Sequence, residues 1–179
     1  MDEKAELFFA TIPETPLGPI GVAASLKGLV ALEIGVTDAG QWACPERGRR
    51  GARYSLSGSL PPVGLVPFPV REQLEQYFAG KLRAFDLPID QDHFTPFQKI
   101  VLPRVMAVPY GETRTYGEIA AEVGRPAAAR AVGRANATNP LAIIIPCHRL
   151  VGADGSLRGY AGGLALKAWL LALEHNAHG

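Results

Sequence analysis

Residues 115–135 read TYGEIAAEVGRPAAARAVGRA, and this stretch decides the architecture of the second half of the chain. Thr115 followed three positions later by Glu118 is a capping box, in which each side chain satisfies the other's free backbone N–H, so a helix opens here. Gly124 closes it, because glycine enters the left-handed conformation without a Cβ penalty. Pro126 starts a second helix through about Ala135, its fixed φ suiting the first helical position. Two short helices joined by a tight glycine-containing turn predict a helix-turn-helix. The second helix is built of small residues, with Arg130 and Arg134 four apart on one face. Reading of major-groove base edges calls for Asn, Gln or several Arg, whereas a flat helix with a protruding Arg suits minor-groove contact by shape. An alanine-rich helix packed on its neighbour fits the same residues.

On either side the punctuation is equally local. Thr95-Pro96-Phe97-Gln98 is another capping box with proline at the first position, predicting a helix over 96–107 that Pro103 kinks or shortens. Asn139-Pro140 ends the helix-turn-helix, and residues 141–145 form an apolar, sheet-like run. Gly162-Gly163 precedes a final helix over about 164–175. Upstream, residues 7–12, 18–25 and 28–34 read as strands of an antiparallel meander. Residues 41–67, with Cys44, four arginines and Pro61-Pro62, read as a loop or insertion. Helical spacing of Val70, Leu74, Tyr77 and Phe78 predicts a helix over about 69–79, stopped by Gly80. The expected fold is therefore α+β: a small N-terminal domain, residues 1–90, with a three-stranded antiparallel sheet, and a mainly helical C-terminal domain, residues 91–179, containing the helix-turn-helix.

Composition narrows the function classes. No cationic-apolar leader and no apolar run of about 18 residues is visible, so a cytoplasmic protein with no membrane partner is expected. Cys44 and Cys147 then read as reduced thiols. Two distant cysteines and four scattered histidines give no ligand-pair spacing, so neither a metal nor a cofactor is expected. Residues 1–93 hold nine Lys/Arg against twelve Asp/Glu, and residues 94–179 nine against five. The basic half fits a polyanionic partner, and equally a solvated basic face.

Within that half, Ile143-Ile144-Ile145-Pro146-Cys147-His148-Arg149 brings a thiol out of an apolar run to two basic residues. A reactive cysteine wants nearby positive charge and a base, while a small core cysteine wants apolar neighbours, and the segment supplies both. Glu174, in the last turn of the final helix, opposes the helix dipole. It is either exposed or the group that orients a histidine in a nucleophile–base–orienter set. Asn139 is a turn former whose side chain can also pin the backbone presenting Cys147.

Taken in order, Tyr116, Ala129-Arg130-Ala131-Val132-Gly133, Asn139-Pro140, Ile145-Pro146-Cys147-His148-Arg149, Gly159-Tyr160-Ala161-Gly162-Gly163 and the run from Lys167 to Glu174 resemble the O6-alkylguanine-DNA alkyltransferases. The resemblance covers about residues 94–175. It implies a monomeric, single-use repair protein that binds double-stranded DNA containing O6-alkylguanine, flips the damaged base out, and takes its alkyl group irreversibly onto one cysteine; O4-alkylthymine is a second implied substrate. By the same resemblance Cys147 is the acceptor, His148 draws its proton, Glu174 polarises His148, and Asn139 holds the turn bearing the cysteine. Arg130 takes the place of the extruded base and Tyr116 donates to the departing guanine; Arg134, four residues from Arg130 on the same face, is expected to contact DNA. Leu150, Tyr160 and Ala161 belong to the alkylguanine pocket, the carbonyls of Cys147 and Leu150 accepting from the exocyclic amine. Ala161 stands where many relatives have serine. Arg134, Asn136 and Ala137 depart from some relatives in ways expected to alter DNA affinity. A lesion-binding relative without chemistry lacks the acceptor cysteine that this chain has; a helix-turn-helix transcription factor and a cysteine hydrolase are the other readings.

Overall fold

The computed structural model describes residues 7–37, 66 and 68–177. The loop expected over 41–67, with Cys44, lies outside the described residues apart from Val66. The expected meander is present: β1 (Phe8–Ile12), β2 (Ile20–Ser25) and β3 (Gly28–Ile34) are antiparallel neighbours in that order. Successive side chains of a strand point to opposite faces. Ile12, Ile20, Val22, Ala24 and Leu32 thus enter the main core, while Phe9, Ala23 and Ala31 gather in a small cluster on the other face.

The outer edge of β3 ties the sheet to the rest of the chain. Leu29 N–H donates to Pro88 O at 2.8 Å, and Leu32 N–H donates to Pro140 O at 2.8 Å. Gly28 is required there, since a Cβ would stand 2.6 Å from Pro88 O. The second contact matters most, because it fixes the turn that leads to Cys147.

Helix α1 (Val70–Phe78) buries Val70, Leu74 and Tyr77, close to the expected span. Helix α2 (Pro96–Met106) carries its capping box, with Gln98 N–H on Thr95 Oγ1 at 3.2 Å and Thr95 N–H on Gln98 Oε1 at 2.9 Å. Helix α2 continues through Pro103 to Met106. Lys99 and Pro103 both face solvent, where water can serve the carbonyl that proline cannot bond.

A two-residue strand β4 (Arg114–Thr115) leads into α3 (Tyr116–Glu122), whose capping box joins Thr115 and Glu118 reciprocally. Gly124, at φ 72°, closes α3 while Arg125 N–H reaches back to Ala120 O at 2.8 Å. The second helix does not begin at Pro126. Residues Pro126–Ala128 form a 3₁₀ turn, and α4 runs Ala129–Ala137. The i→i+3 bond from Ala128 N–H to Arg125 O tightens that first turn, and α-helical bonding starts where Val132, Ala135 and Asn136 face inward.

The sheet-like run expected over 141–145 is instead a tight buried turn. Ile145 N–H donates to Leu141 O at 2.8 Å, and Ile143 sits at φ 74°, a left-handed conformation that a β-branched residue resists. Burial of Leu141, Ile143, Ile144 and Ile145 outweighs that local preference. Beyond it, β5 (Leu150–Val151) pairs in parallel with β4, and α5 (Leu164–Asn176) ends the fold. One core joins Leu74 and Tyr77 of α1 to Leu102, Val132, Ile145, Leu150 and Leu170. Among the described residues no helix is long and apolar enough to cross a membrane.

Candidate active site

The inward stripe of α5 reads Lys167, Leu170, Glu174, so two charged side chains lie on its buried face. A buried charge is tolerated only when paired and hydrogen-bonded. Among the described residues, five donors meet that condition for Glu174. His148 Nε2 lies 2.8 Å from Oε1, Tyr77 OH donates to Oε1 at 2.7 Å, and Gly111 N–H donates to Oε2 at 3.1 Å. Arg149 grips both oxygens, through Nε on Oε2 and Nη2 on Oε1, each at 2.9 Å. Burial pushes this carboxyl up, but the bonds from His148 and Arg149 prevail and hold it at about 2. Glu174 is an anion, not the exposed surface carboxylate that its place at a helix end allowed.

That charge fixes the state of His148. A carboxylate can only accept, so Nε2 carries the hydrogen and Nδ1 of the neutral ring carries the lone pair. The ring has no exposure, and Nδ1 is buried with no hydrogen-bond partner among the described residues. Burial, aided by the charges of Arg149 and Lys167, holds the imidazole below its usual range despite the attraction of Glu174. Cys147 opens the adjacent 3₁₀ turn Cys147–Arg149, and burial raises its thiol against the opposing pull of Asn139, Lys167 and Tyr160. The sequence suggested a thiolate favoured by two basic neighbours. In the structure Arg149 is committed to Glu174, His148 is neutral, and the resting pair is thiol and imidazole.

The cysteine is presented by a braced backbone. Asn139 Nδ2 donates to Ile145 O at 2.9 Å while its Oδ1 accepts from Leu141 N–H at 3.0 Å, closing the turn ahead of Pro146. Asn136 Nδ2 donates to Cys147 O at 3.1 Å. Asn136 is thus buried inside the site and not on the outer face of α4, where its effect on DNA affinity was expected. Arg130 and Arg134 are exposed on α4, as their spacing implies.

Tyr116 begins α3 and is half-buried; burial and the nearby Cys147 both raise its hydroxyl. Burial raises the Tyr160 hydroxyl as well, which is close enough to Cys147 to favour the thiolate. Leu150 is buried, and its carbonyl accepts from Lys167 Nζ, which also donates to Arg158 O at 2.9 Å. Ala161 is exposed in the segment before α5. Sequence reasoning gave no role to Tyr77, Gly111, Asn136 as a brace, or Lys167. Of these only Lys167 left a signal, seven residues before Glu174 on one helix face.

Comparisons with known proteins agree with this geometry. Residues 8–91 match the ribonuclease-like domain of 6-O-methylguanine DNA methyltransferase, and residues 96–176 match its DNA-binding domain. The methylated-DNA–protein-cysteine methyltransferase of Methanosarcina barkeri is 45% identical over 165 residues, 92% of this chain and 96% of that protein. The crystal structure of Mycobacterium tuberculosis O6-methylguanine methyltransferase superposes with a TM-score of 0.76 at 39% identity, covering 96% of this chain and 94% of that one. Another structure, of M. tuberculosis OGT in complex with DNA, gives a TM-score of 0.76 at 41% identity over 95% and 94% of the two chains. Along nearly its whole length, this chain belongs to the 6-O-methylguanine DNA methyltransferase family.

Proposed function

We propose that this protein repairs double-stranded DNA by moving the alkyl group of O6-alkylguanine, and of O4-alkylthymine, onto Cys147 Sγ, once per molecule. The observation that carries the reading is the hydrogen bond from His148 Nε2 to an anionic Glu174, with the buried thiol of Cys147 next in sequence and no partner on His148 Nδ1 among the described residues. Alkyl transfer is displacement at carbon: the Sγ–C bond forms, the C–O6 bond breaks, and the thiol proton passes through a water to His148. Glu174 stabilises the imidazolium that results. The departing guanine gains negative charge at its ring, and the Tyr116 hydroxyl donates a hydrogen bond there. Asn139 and Asn136 hold the thiol in place, and Tyr160, Ala161 and the carbonyls of Cys147 and Leu150 frame the base.

The reacting carbon is out of reach inside a duplex, so the base must be flipped. Arg130 fills the gap and Arg134 contacts the backbone, both from the exposed face of α4. Residues 91–179 carry DNA and chemistry, while residues 1–90 brace them, a division supported by the two matched domains meeting between residues 91 and 96. The product is a thioether, and nothing in the relay cleaves a carbon–sulfur bond. Repair of O6-methylguanine duplex, counted against protein, should stop at one equivalent; continued turnover contradicts the reading and favours a hydrolase.

A further inference from the structure

Tyr77 stands apart in the relay because it comes from α1, in the half of the chain that carries no reacting group. Its side chain is fully buried against Phe78, Phe85 and Tyr110, with ring centroids 5.6, 5.3 and 6.0 Å away. Hydrophobic packing alone would be served by phenylalanine. The hydroxyl instead donates to Glu174 Oε1 at 2.7 Å and lies 3.5 Å from His148 Nε2. Oε1 is the same oxygen that receives Nε2, so the phenol and the imidazole share one acceptor.

Arg149 holds the carboxylate in its plane by gripping both oxygens, but it approaches from its own side. The Tyr77 hydroxyl adds a neutral donor on Oε1, where the histidine bond is made. Its hydrogen bond limits how far the carboxylate can swing and how strongly Oε1 pulls on Nε2–H. Both effects bear on the direction in which the ring presents Nδ1.

Resting on the proposed transfer to Cys147, we infer that Tyr77 is a positioning residue of the reaction: through the hydroxyl–Oε1 bond, α1 sets the orientation and acceptor strength of Glu174, and so the aim of His148 Nδ1. The N-terminal half is then part of the chemical apparatus and not only a support.

Tyr77→Phe in the full-length protein keeps the ring and removes only the hydroxyl. Single-turnover transfer from O6-methylguanine duplex should slow by on the order of threefold to tenfold, the effect of one neutral hydrogen bond, with DNA affinity within about twofold of wild type. The spectroscopic readout needs no activity. The His148 Nε2–H proton resonance of the free protein should move downfield in Tyr77→Phe, because Oε1 then has one donor fewer. Replacing Tyr77 by 2,3-difluorotyrosine, a stronger donor of the same shape, should move it upfield and retain transfer. This second variant also covers the case in which Tyr77→Phe folds poorly. A merely structural Tyr77 would lower the melting temperature and leave the resonance in place. An unmoved resonance in both variants overturns the inference, as does an unchanged transfer rate in Tyr77→Phe. Failure of the wild-type protein to transfer would overturn the proposed function, and with it the positioning role.

Discussion

Arg149, two positions beyond Cys147, closes a two-point contact on Glu174, with Nε on Oε2 and Nη2 on Oε1, each at 2.9 Å. Its third arm, Nη1, donates to Val108 O at 2.6 Å, so the guanidinium is locked between α5 and the loop after α2. The arginine beside the acceptor therefore acts on the thiol indirectly, by keeping Glu174 ionised.

Glu174→Gln should for this reason do more than slow transfer. It leaves Arg149 buried without its counter-charge, a defect costing roughly 3–5 kcal/mol. Urea unfolding should show that loss, and single-turnover transfer should fall because the His148 imidazolium is no longer stabilised. DNA affinity should change little, since Glu174 has no exposure. Wild-type stability in this variant would contradict the network described here.

Three buried groups contribute to the pH dependence of stability. Glu174 is held at about 2 in the folded protein. Its contribution is complete above about pH 4.3, the unfolded value, and is lost as pH falls from there. Burial lowers His148, so an unfolded histidine binds a proton that the folded one refuses, and stability drops below about pH 6.5. Burial raises Cys147, so the unfolded thiol ionises first and stability drops above about pH 8.5. Stability by urea unfolding should peak between these limits. His148→Gln should flatten the slope just below about pH 6.5, and Cys147→Ser the slope above about pH 8.5. An unchanged slope in either variant contradicts the assignment.

Asn139→Ala removes both side-chain bonds that close the turn before Cys147. Ile145 O keeps the Cys147 N–H at 2.7 Å, but Leu141 N–H loses its acceptor, which should cost about 1–3 kcal/mol. Ile143, held at φ 74° by that turn, should relax, and transfer should slow with the thiol displaced. Thermal unfolding and single-turnover kinetics measured together test this, and loss of neither would show that the turn holds itself.

Flipping a base costs a few kcal/mol, part of which a side chain in the gap recovers. Arg130→Ala should cut repair of a duplex lesion by roughly tenfold to a hundredfold and leave reaction with free O6-alkylguanine base nearly unchanged. Arg134→Ala should weaken duplex binding and flatten its salt dependence without that selectivity. Equal losses on duplex and free base for Arg130→Ala would mean that Arg130 supports the fold or pocket.

What was legible in the sequence was what local chemistry decides. The capping boxes at Thr95 and Thr115 use side chains three residues apart, and both helices begin where those residues place them. Cys147, His148 and Glu174 stood out as candidates, because a thiol beside a base and an odd carboxylate at a helix end are visible in one dimension, and the structure joins the last two at 2.8 Å. Residues 141–145 were not, since three isoleucines favour a strand and only their burial forces a turn with Ile143 in the left-handed region. The state of the thiol stayed open for a related reason: adjacency to Arg149 says nothing of which carboxylate, 25 residues away, has claimed it. Tyr77, 97 residues from Glu174, left no trace at all.

The central claim is that one particular sulfur receives the alkyl group. Peptide mass spectrometry after incubation with O6-methylguanine duplex tests it directly, with both cysteine-containing peptides resolved. The account predicts a gain of about 14 Da, a methyl in place of the thiol hydrogen, on Cys147 alone and at one equivalent per chain. A methyl group on Cys44, or restored guanine with Cys147 unmodified, would contradict it.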